Sequence, residues 1–134
     1  MPAPAFLVDT NVLSELSRRT PNAGVVGWAG TVSTVALSVV TLEEVFYGLA
    51  RKSNPRVQTW FEGFLASHCV VLPIPPEMAR IAGQLRGSLA ARGGSRTQAD
   101  MLIAATAQME GLTLVTRNAR DFAGCGVPVL NPFS

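Results

Sequence analysis

The stretch FLVDTN, residues 6–11, joins a short apolar run to an acidic residue and sets the interpretation of the rest of the chain. The apolar residues 5–8 predict a buried strand, and the pattern from Asp9 to Ser17 predicts a helix. Aspartate is a poor residue inside either element. We therefore expect Asp9 to stand at the carboxyl end of a buried strand.

Strand and helix patterns alternate along the whole chain. The predicted strands cover residues 5–8, 32–39, 69–72, 113–116 and 127–130, and the predicted helices start at residues 9, 41, 54, 75 and 99. Such alternation predicts an α/β sandwich around a mainly parallel sheet of about five short strands. With 134 residues, of which 48% are hydrophobic, the chain suits a single domain over residues 1–134.

The three aspartates of the chain all stand beside apolar runs. Asp121 follows the predicted strand at residues 113–116, and Asp100 lies in the first turn of the helix that starts at residue 99. Because parallel strands end at a shared edge of the sheet, Asp9 and Asp121 are expected at the same rim. Clustered carboxylates repel one another unless a cation or protons neutralise them, and oxygen ligands favour Mg²⁺ or Mn²⁺. The pattern therefore predicts a metal site.

Each aspartate also has a purely structural explanation. Asp9 could cap the helix that follows it, Asp100 could be a helix-start charge that the macrodipole favours, and Asp121 could be an ordinary loop residue. The structural explanation is weakest for Asp100, because its helix is too apolar for a surface helix and a buried carboxylate needs a partner. Taken singly, both explanations stay open for each acid.

A glutamate pair, Glu43 and Glu44, follows a fourth apolar run at residues 35–40. The sequence TLEE matches a capping box, with Thr41 as the cap and Glu44 at the third helical position. Thr41, Glu44 and Gly48 also share a helix face, where two small residues leave room around one carboxylate. This spacing favours Glu44 as the acid and leaves Glu43 as an alternative.

Composition narrows the class of protein. The formal net charge of +2 indicates no broad basic surface. Cys69 and Cys125 lack metal-ligand spacing, and no apolar run reaches membrane-spanning length, so we expect a cytoplasmic protein. The only histidine, His68, has no partner motif, which argues against Ser-His or Cys-His catalysis.

Several arginines lie close in sequence to two of the acids and could hold the phosphate groups of a ligand. Each could equally be an ordinary solvated arginine. Arg117 has the best position, between Thr116 and Asn118. The candidates are Arg92, Arg96, Arg117 and Arg120.

These residues, in this order, resemble the motifs of PIN-domain proteins, especially the VapC toxins and their FitB-like relatives. The similar stretches are FLVDTNVLSEL (6–16), SVVTLEEV (38–45) with Gly48, ADMLIAATA (99–107), LVTRN through DF (114–122) and the ending VPVLNP (127–132). They span nearly the whole chain in the family's order. The chain departs from the usual pattern at Glu43, where a small residue is common, and at Met101, where alanine is common.

The resemblance implies an α/β/α sandwich and a metal-dependent ribonuclease that uses Mg²⁺ or Mn²⁺. It also implies the toxin of a toxin–antitoxin pair, a homodimer, and a VapB-like antitoxin that blocks the site, in a possible hetero-oligomer. Carried over by position, the acidic site is Asp9, Glu44, Asp100 and Asp121, with the metal on Asp9, Asp100 and Asp121. The supporting polar residues are Thr10, Asn11, Thr116 and Asn118.

Other functions remain open at this point. A PIN-like fold could serve RNA processing without being a toxin, or act as a metal-free interaction module. An aspartyl-phosphate enzyme is disfavoured, because Thr10 and Asn11 follow Asp9 and the only lysine, Lys52, is misplaced. The aromatic stripe of the helix at residue 54 could pack in the core or accept an antitoxin helix or a second subunit. It consists of Trp60, Phe61, Phe64 and Leu65.

Overall fold

The computed structural model describes residues 3–134, so Met1 and Pro2 of the predicted domain lie outside it. Over these residues the chain forms a five-stranded sheet of order β3-β2-β1-β4-β5, in which every neighbouring pair is parallel. The strands are β1 (Phe6–Val8), β2 (Val35–Ser38), β3 (Cys69–Leu72), β4 (Thr113–Val115) and β5 (Val129–Leu130).

Helices cover both faces of this sheet. They are α1 (Thr10–Leu16), α2 (Ala23–Ala29), α3 (Val39–Arg51), α4 (Pro55–Ser67), α5 (Pro76–Ala91) and α6 (Gln98–Glu110), with a 3₁₀ helix at Ala119–Phe122. Successive strand residues point to opposite faces. Leu7 therefore packs in a core with α5 and α6, while Val8 packs in a second core with α1, α2 and α4. The predicted three-layer α/β/α sandwich is confirmed.

The strand order brings three carboxyl ends together. β1 is the central strand, and Leu7 is in register with Ala36 of β2 and Leu114 of β4. α1 begins at Thr10 and α3 at Val39, each close behind its strand. Residues that follow β1, β2 and β4 therefore meet at one rim of the sheet, as predicted for parallel strands.

The capping box proposed at Thr41 is wrong. α3 begins two residues earlier, at Val39, and the Ser38 hydroxyl caps it by accepting a hydrogen bond from the Val40 backbone N–H at 3.0 Å. Thr41 lies inside the helix, only 1% exposed, and its hydroxyl has no hydrogen-bond partner within the described chain. The β-branched residues 39 and 40 extended the predicted strand to residue 39, whereas buried Ser38 ends it.

α2 was not predicted from the sequence. Its sequence AGVVGWA contains two glycines, which lower helix propensity, and one turn of apolar residues gives little periodicity. The helix begins because the Asn22 side chain accepts from the backbone N–H groups of Gly24 at 3.0 Å and Val25 at 3.3 Å. Buried Val25 then fixes it to the core.

Among residues 3–134, none of the helices combines the length and the apolar character that a bilayer crossing needs.

Candidate active site

Asp9 is the centre of the hydrogen-bond network at the rim. It is the N-cap of α1 and is only 6% exposed. Oδ1 accepts from the Thr10 backbone N–H at 2.8 Å, and Oδ2 accepts from the Thr116 hydroxyl at 2.8 Å and from Asn11 Nδ2 at 3.1 Å. The capping role considered for Asp9 is therefore real, but it uses only one carboxylate oxygen. Oδ2 is oriented by side chains instead.

Asn11 and Thr116 fasten the loop after β4 to the start of α1. Asn11 Nδ2 donates to Thr116 Oγ1 at 3.2 Å, and Asn11 Oδ1 accepts from the Arg117 backbone N–H at 2.9 Å. Thr116 Oγ1 also accepts from the Asn118 backbone N–H at 3.0 Å. Asn118 thus contributes here through its backbone. Thr116 is fully buried, so the bond from its hydroxyl to Asp9 is shielded from water and fixes the carboxylate in place.

Glu44 reaches the same network through Thr10. The Thr10 hydroxyl donates to Glu44 Oε1 at 2.8 Å. Glu43 is exposed and lines a separate hollow with Val40 and residues of α6. Of the two glutamates that the sequence left open, the structure therefore links Glu44 to the Asp9 network, whereas Glu43 has no hydrogen bond to it within residues 3–134.

Asp100 lies half-buried in the first turn of α6. Its backbone N–H donates to the Thr97 hydroxyl at 3.0 Å, which caps the helix. Burial raises the pKa of the Asp100 carboxyl, and the negative charge of Asp9 raises it further. Asp121 and Glu44 add to this effect, while the hydrogen bond with Thr97 opposes it. The charges of Asp9, Asp121 and Glu44 therefore all reach the Asp100 carboxyl.

Asp121 lies on the open side of the site, in the 3₁₀ helix. Its backbone N–H donates to the Asn118 carbonyl at 3.0 Å, and its side chain is exposed. It lines an open cleft of about 410 Å³ together with residues 117–120. The cleft connects Asp121 to two arginines, Arg117 and Arg120.

The donor set fits a hydrated divalent cation better than a closed metal cage. In the described part of the chain, no group of three or more His, Cys, Asp or Glu side chains is arranged to hold a metal ion directly. Within the same residues the single ion pair is Glu15 with Arg18, so none of the four acids has a basic partner. Oxygen-only donors whose charges repel, without a basic residue to neutralise them, match Mg²⁺, which keeps several waters and binds few carboxylates directly.

The four candidate arginines are not equivalent. The Arg117 guanidinium carbon lies 5.0 Å from the centroid of the Phe133 ring, and Arg120 shares the cleft with it. Arg96 donates from Nη2 to the Ala123 carbonyl at 3.0 Å, so it braces the loop beyond the 3₁₀ helix. Arg92 bonds within its own helix region, to the Ser88 hydroxyl at 3.1 Å. Of the four, only Arg117 and Arg120 line the cleft of Asp121.

Two residues that contact the candidate site residues were not identified from the sequence. Thr97 stands three residues before Asp100, a spacing typical of a helix cap, and this signal could have found it. Phe133 contacts Arg117 only because the chain end folds back, and nothing in the local sequence indicates that contact.

Comparison with known proteins gives a consistent result. Residues 6–124 match the family described as PIN domain. The VapC ribonuclease Y4jK of Sinorhizobium fredii is 31% identical, covering 96% of this chain and 97% of that protein. The toxin FitB of Neisseria gonorrhoeae is 33% identical, covering 96% of this chain and 98% of that protein.

Solved structures give the same picture. The crystal structure of FitAcB from Neisseria gonorrhoeae superposes with a TM-score of 0.81 at 33% identity, covering 95% of this chain and 97% of that one. A toxin–antitoxin complex from Klebsiella pneumoniae superposes with a TM-score of 0.74 at 28% identity, covering 96% and 98%. As the sequence motifs predicted, the chain belongs to the PIN-domain family, with VapC ribonucleases and the toxin FitB among its relatives.

Proposed function

We propose that this protein is a Mg²⁺- or Mn²⁺-dependent endoribonuclease that hydrolyses RNA phosphodiester bonds and acts as the toxin of a toxin–antitoxin pair. The observation that carries the proposal is a group of four acids without a basic partner in residues 3–134, in which burial and the charges of Asp9, Asp121 and Glu44 raise the pKa of Asp100. Relatives named as a VapC ribonuclease and a toxin support the reaction class.

Asp9, Asp100 and Asp121 would hold a hydrated cation, partly through its water molecules, and Glu44 would act beside them through its hydrogen bond from Thr10. When bound, the cation would lower the pKa of a coordinated water and stabilise negative charge on the phosphoryl oxygens. The residues of the chain supply the positioning. Asn11 and Thr116 hold the Asp9 carboxylate, and Arg117 and Arg120 would attract the RNA backbone into the open cleft.

The test is cleavage of a labelled RNA by matched variants. Asp9→Asn and Asp100→Asn should lose at least about 100-fold in rate while keeping the circular dichroism spectrum of the wild type. Glu43→Gln is the matched control, since Glu43 is exposed and has no hydrogen bond to the Asp9 network within residues 3–134, and it should cleave normally. Excess EDTA should stop the wild-type reaction, and added Mg²⁺ or Mn²⁺ should restore it. Wild-type rates in Asp9→Asn, or cleavage that persists in EDTA, would reject the mechanism.

The aromatic stripe of α4 bears on the proposed partner. Phe61 is 1% exposed and belongs to the core, but Trp60 and Phe64 line a cavity of about 260 Å³ together with Trp28. The Trp28 indole N–H has no hydrogen-bond acceptor in the described chain. The cavity therefore suits an apolar side chain, as an antitoxin helix would offer.

A cavity-filling variant tests this partner. Ala29→Phe should fill the cavity and weaken binding of a VapB-like antitoxin in calorimetry, while RNA cleavage by the isolated protein stays unchanged. Ala91→Phe, at the exposed end of α5, is the control and should bind normally. Unchanged antitoxin affinity in Ala29→Phe would remove the cavity from the interface. Light scattering on the isolated chain tests the proposed homodimer, and a monomer at high concentration would contradict it.

A further inference from the structure

Both the backbone and the side chain of Arg117 make contacts that position it. Its backbone N–H donates to Asn11 Oδ1 at 2.9 Å, and its guanidinium carbon lies 5.0 Å from the centroid of the Phe133 ring. Phe133 is itself partly buried against the core that contains Val8 and Val115. The guanidinium therefore rests on a ring that the core supports, although the Arg117 side chain is exposed.

This arginine is close to the acids, yet it does not pair with them. The same Asn11 amide that binds the Arg117 backbone donates to Asp9 Oδ2 at 3.1 Å, so two hydrogen bonds separate Arg117 from the Asp9 carboxylate. Within residues 3–134 Arg117 forms no ion pair, and its side chain lines the cleft of Asp121. Its contact is with an aromatic ring instead of a carboxylate.

A guanidinium held on a ring has a specific use beside a phosphodiester. The guanidinium carbon lies over the Phe133 ring, and because the Arg117 side chain is exposed, the guanidinium also remains open to a second aromatic group. Nucleobases of single-stranded RNA stack on arginine planes and aromatic side chains in this way. An arginine can bind phosphate without such a ring, so the ring contact is what distinguishes Arg117 from Arg120 in the same cleft within residues 3–134.

We propose that Arg117 and Phe133, the Arg117–Phe133 platform, stack against the base of a nucleotide next to the cleaved phosphodiester. The inference rests on the proposed ribonuclease function and adds to it a subsite for a nucleobase. It predicts that the protein requires unpaired RNA at that nucleotide, because a base inside a duplex cannot turn out to stack.

The test compares a short single-stranded RNA with the same RNA lacking one base beside the cleavage site. For the wild type, removing that base should lower kcat/KM roughly 5- to 150-fold, mainly through KM. Arg117→Lys keeps the charge but lacks the planar group, so it should cleave intact RNA more slowly than the wild type does. Removing the base should then slow this variant little further. Phe133→Leu should behave the same way. The control is Arg120→Lys, in the same cleft but without a ring contact in residues 3–134, which should keep the full abasic penalty.

Each outcome has a distinct meaning. If Arg117→Lys retains the wild-type abasic penalty, the platform is wrong. If Arg117→Lys loses activity equally on intact and abasic RNA, Arg117 binds phosphate and stacking is also refuted. The same RNA pairs are measured for binding with Ca²⁺ in place of Mg²⁺. Base-dependent binding through Arg117 without any cleavage in Mg²⁺ or Mn²⁺ would reject the proposed ribonuclease function and leave the platform standing. Melting curves of the variants check that they fold.

Discussion

Thr116→Val is the sharpest test of the network around Asp9. Valine has nearly the shape of threonine, so the substitution removes the hydroxyl with little change in packing. That hydroxyl donates to Asp9 Oδ2 at 2.8 Å and accepts from the Asn118 backbone N–H at 3.0 Å, in a fully buried position. The bond to a charged group contributes about 1.5–3 kcal/mol. Loss of the acceptor for the Asn118 N–H costs less than the roughly 1–3 kcal/mol of a fully buried donor, because Asn118 is exposed and water can replace the hydroxyl.

These two losses are not additive, because both involve the same hydroxyl, and Asp9 keeps its hydrogen bonds from Thr10 and Asn11. We therefore expect Thr116→Val to destabilise the protein by about 2–4 kcal/mol. For an m-value of about 2 kcal/mol per M, the urea midpoint should fall by about 1–2 M. RNA cleavage per folded molecule should fall about 10-fold or more, because the carboxylate loses its orientation.

The control is another buried threonine that lacks the network. The Thr41 hydroxyl has no hydrogen-bond partner among residues 3–134, so Thr41→Val should leave stability unchanged or raise it by up to about 1 kcal/mol. Equal urea midpoints for Thr116→Val and Thr41→Val would refute the reasoning. Thr116→Ser, which keeps the hydroxyl, should retain most of the activity.

Three further substitutions follow from the structure. Asp100→Asn should stabilise the metal-free protein at pH 7, because the raised pKa of Asp100 means that its ionised form disfavours folding. This gain in stability, read from urea midpoints, should vanish below the ordinary aspartate pKa of 3.8, where the carboxyl is protonated in both the folded and the unfolded state. It should also shrink when Mg²⁺ is added. Glu44→Gln should reduce RNA cleavage about 10-fold or more while Glu43→Gln does not, and equal rates would reverse their assignment. Gly24→Ala should cost about 1–3 kcal/mol because its Cβ would meet the backbone of the C-terminal residues, whereas Gly27→Ala, with open space around it in the described structure, should gain up to about 1 kcal/mol by thermal melting.

Local patterns were sufficient for most of the fold. Period-2 and period-3.6 apolar spacing located each strand and the helices α1 and α3 to α6, because those elements bury a continuous face. α2 was not predicted because it depends on the Asn22 cap and one buried valine instead of a repeated apolar spacing. The start of α3 was misplaced because Thr41 and Glu44 satisfy a capping pattern, while Ser38 is the residue that caps.

The residues of the site could be predicted from the sequence, but the contacts between them could not. Aspartates at the ends of apolar runs signalled that their oxygens converge, because the carboxyl ends of parallel strands share an edge. The partners of Asp9 were not readable from any local pattern, since Thr116 lies 107 residues away along the chain. The same holds for Phe133, whose contact with Arg117 depends on the path of the last residues.

The central position of β1 also means that the parts of the site are synthesised at different times. The ribosome makes the middle strand of the sheet first, but one of the strands flanking it, β4, is made near the end. At roughly 5–20 residues per second, the 107 residues between Asp9 and Thr116 take roughly 5–20 s to translate. A nascent chain therefore carries its first acid long before the threonine that orients it exists, and under the proposed function a truncated translation product that ends before β4 would not cleave the RNA around it.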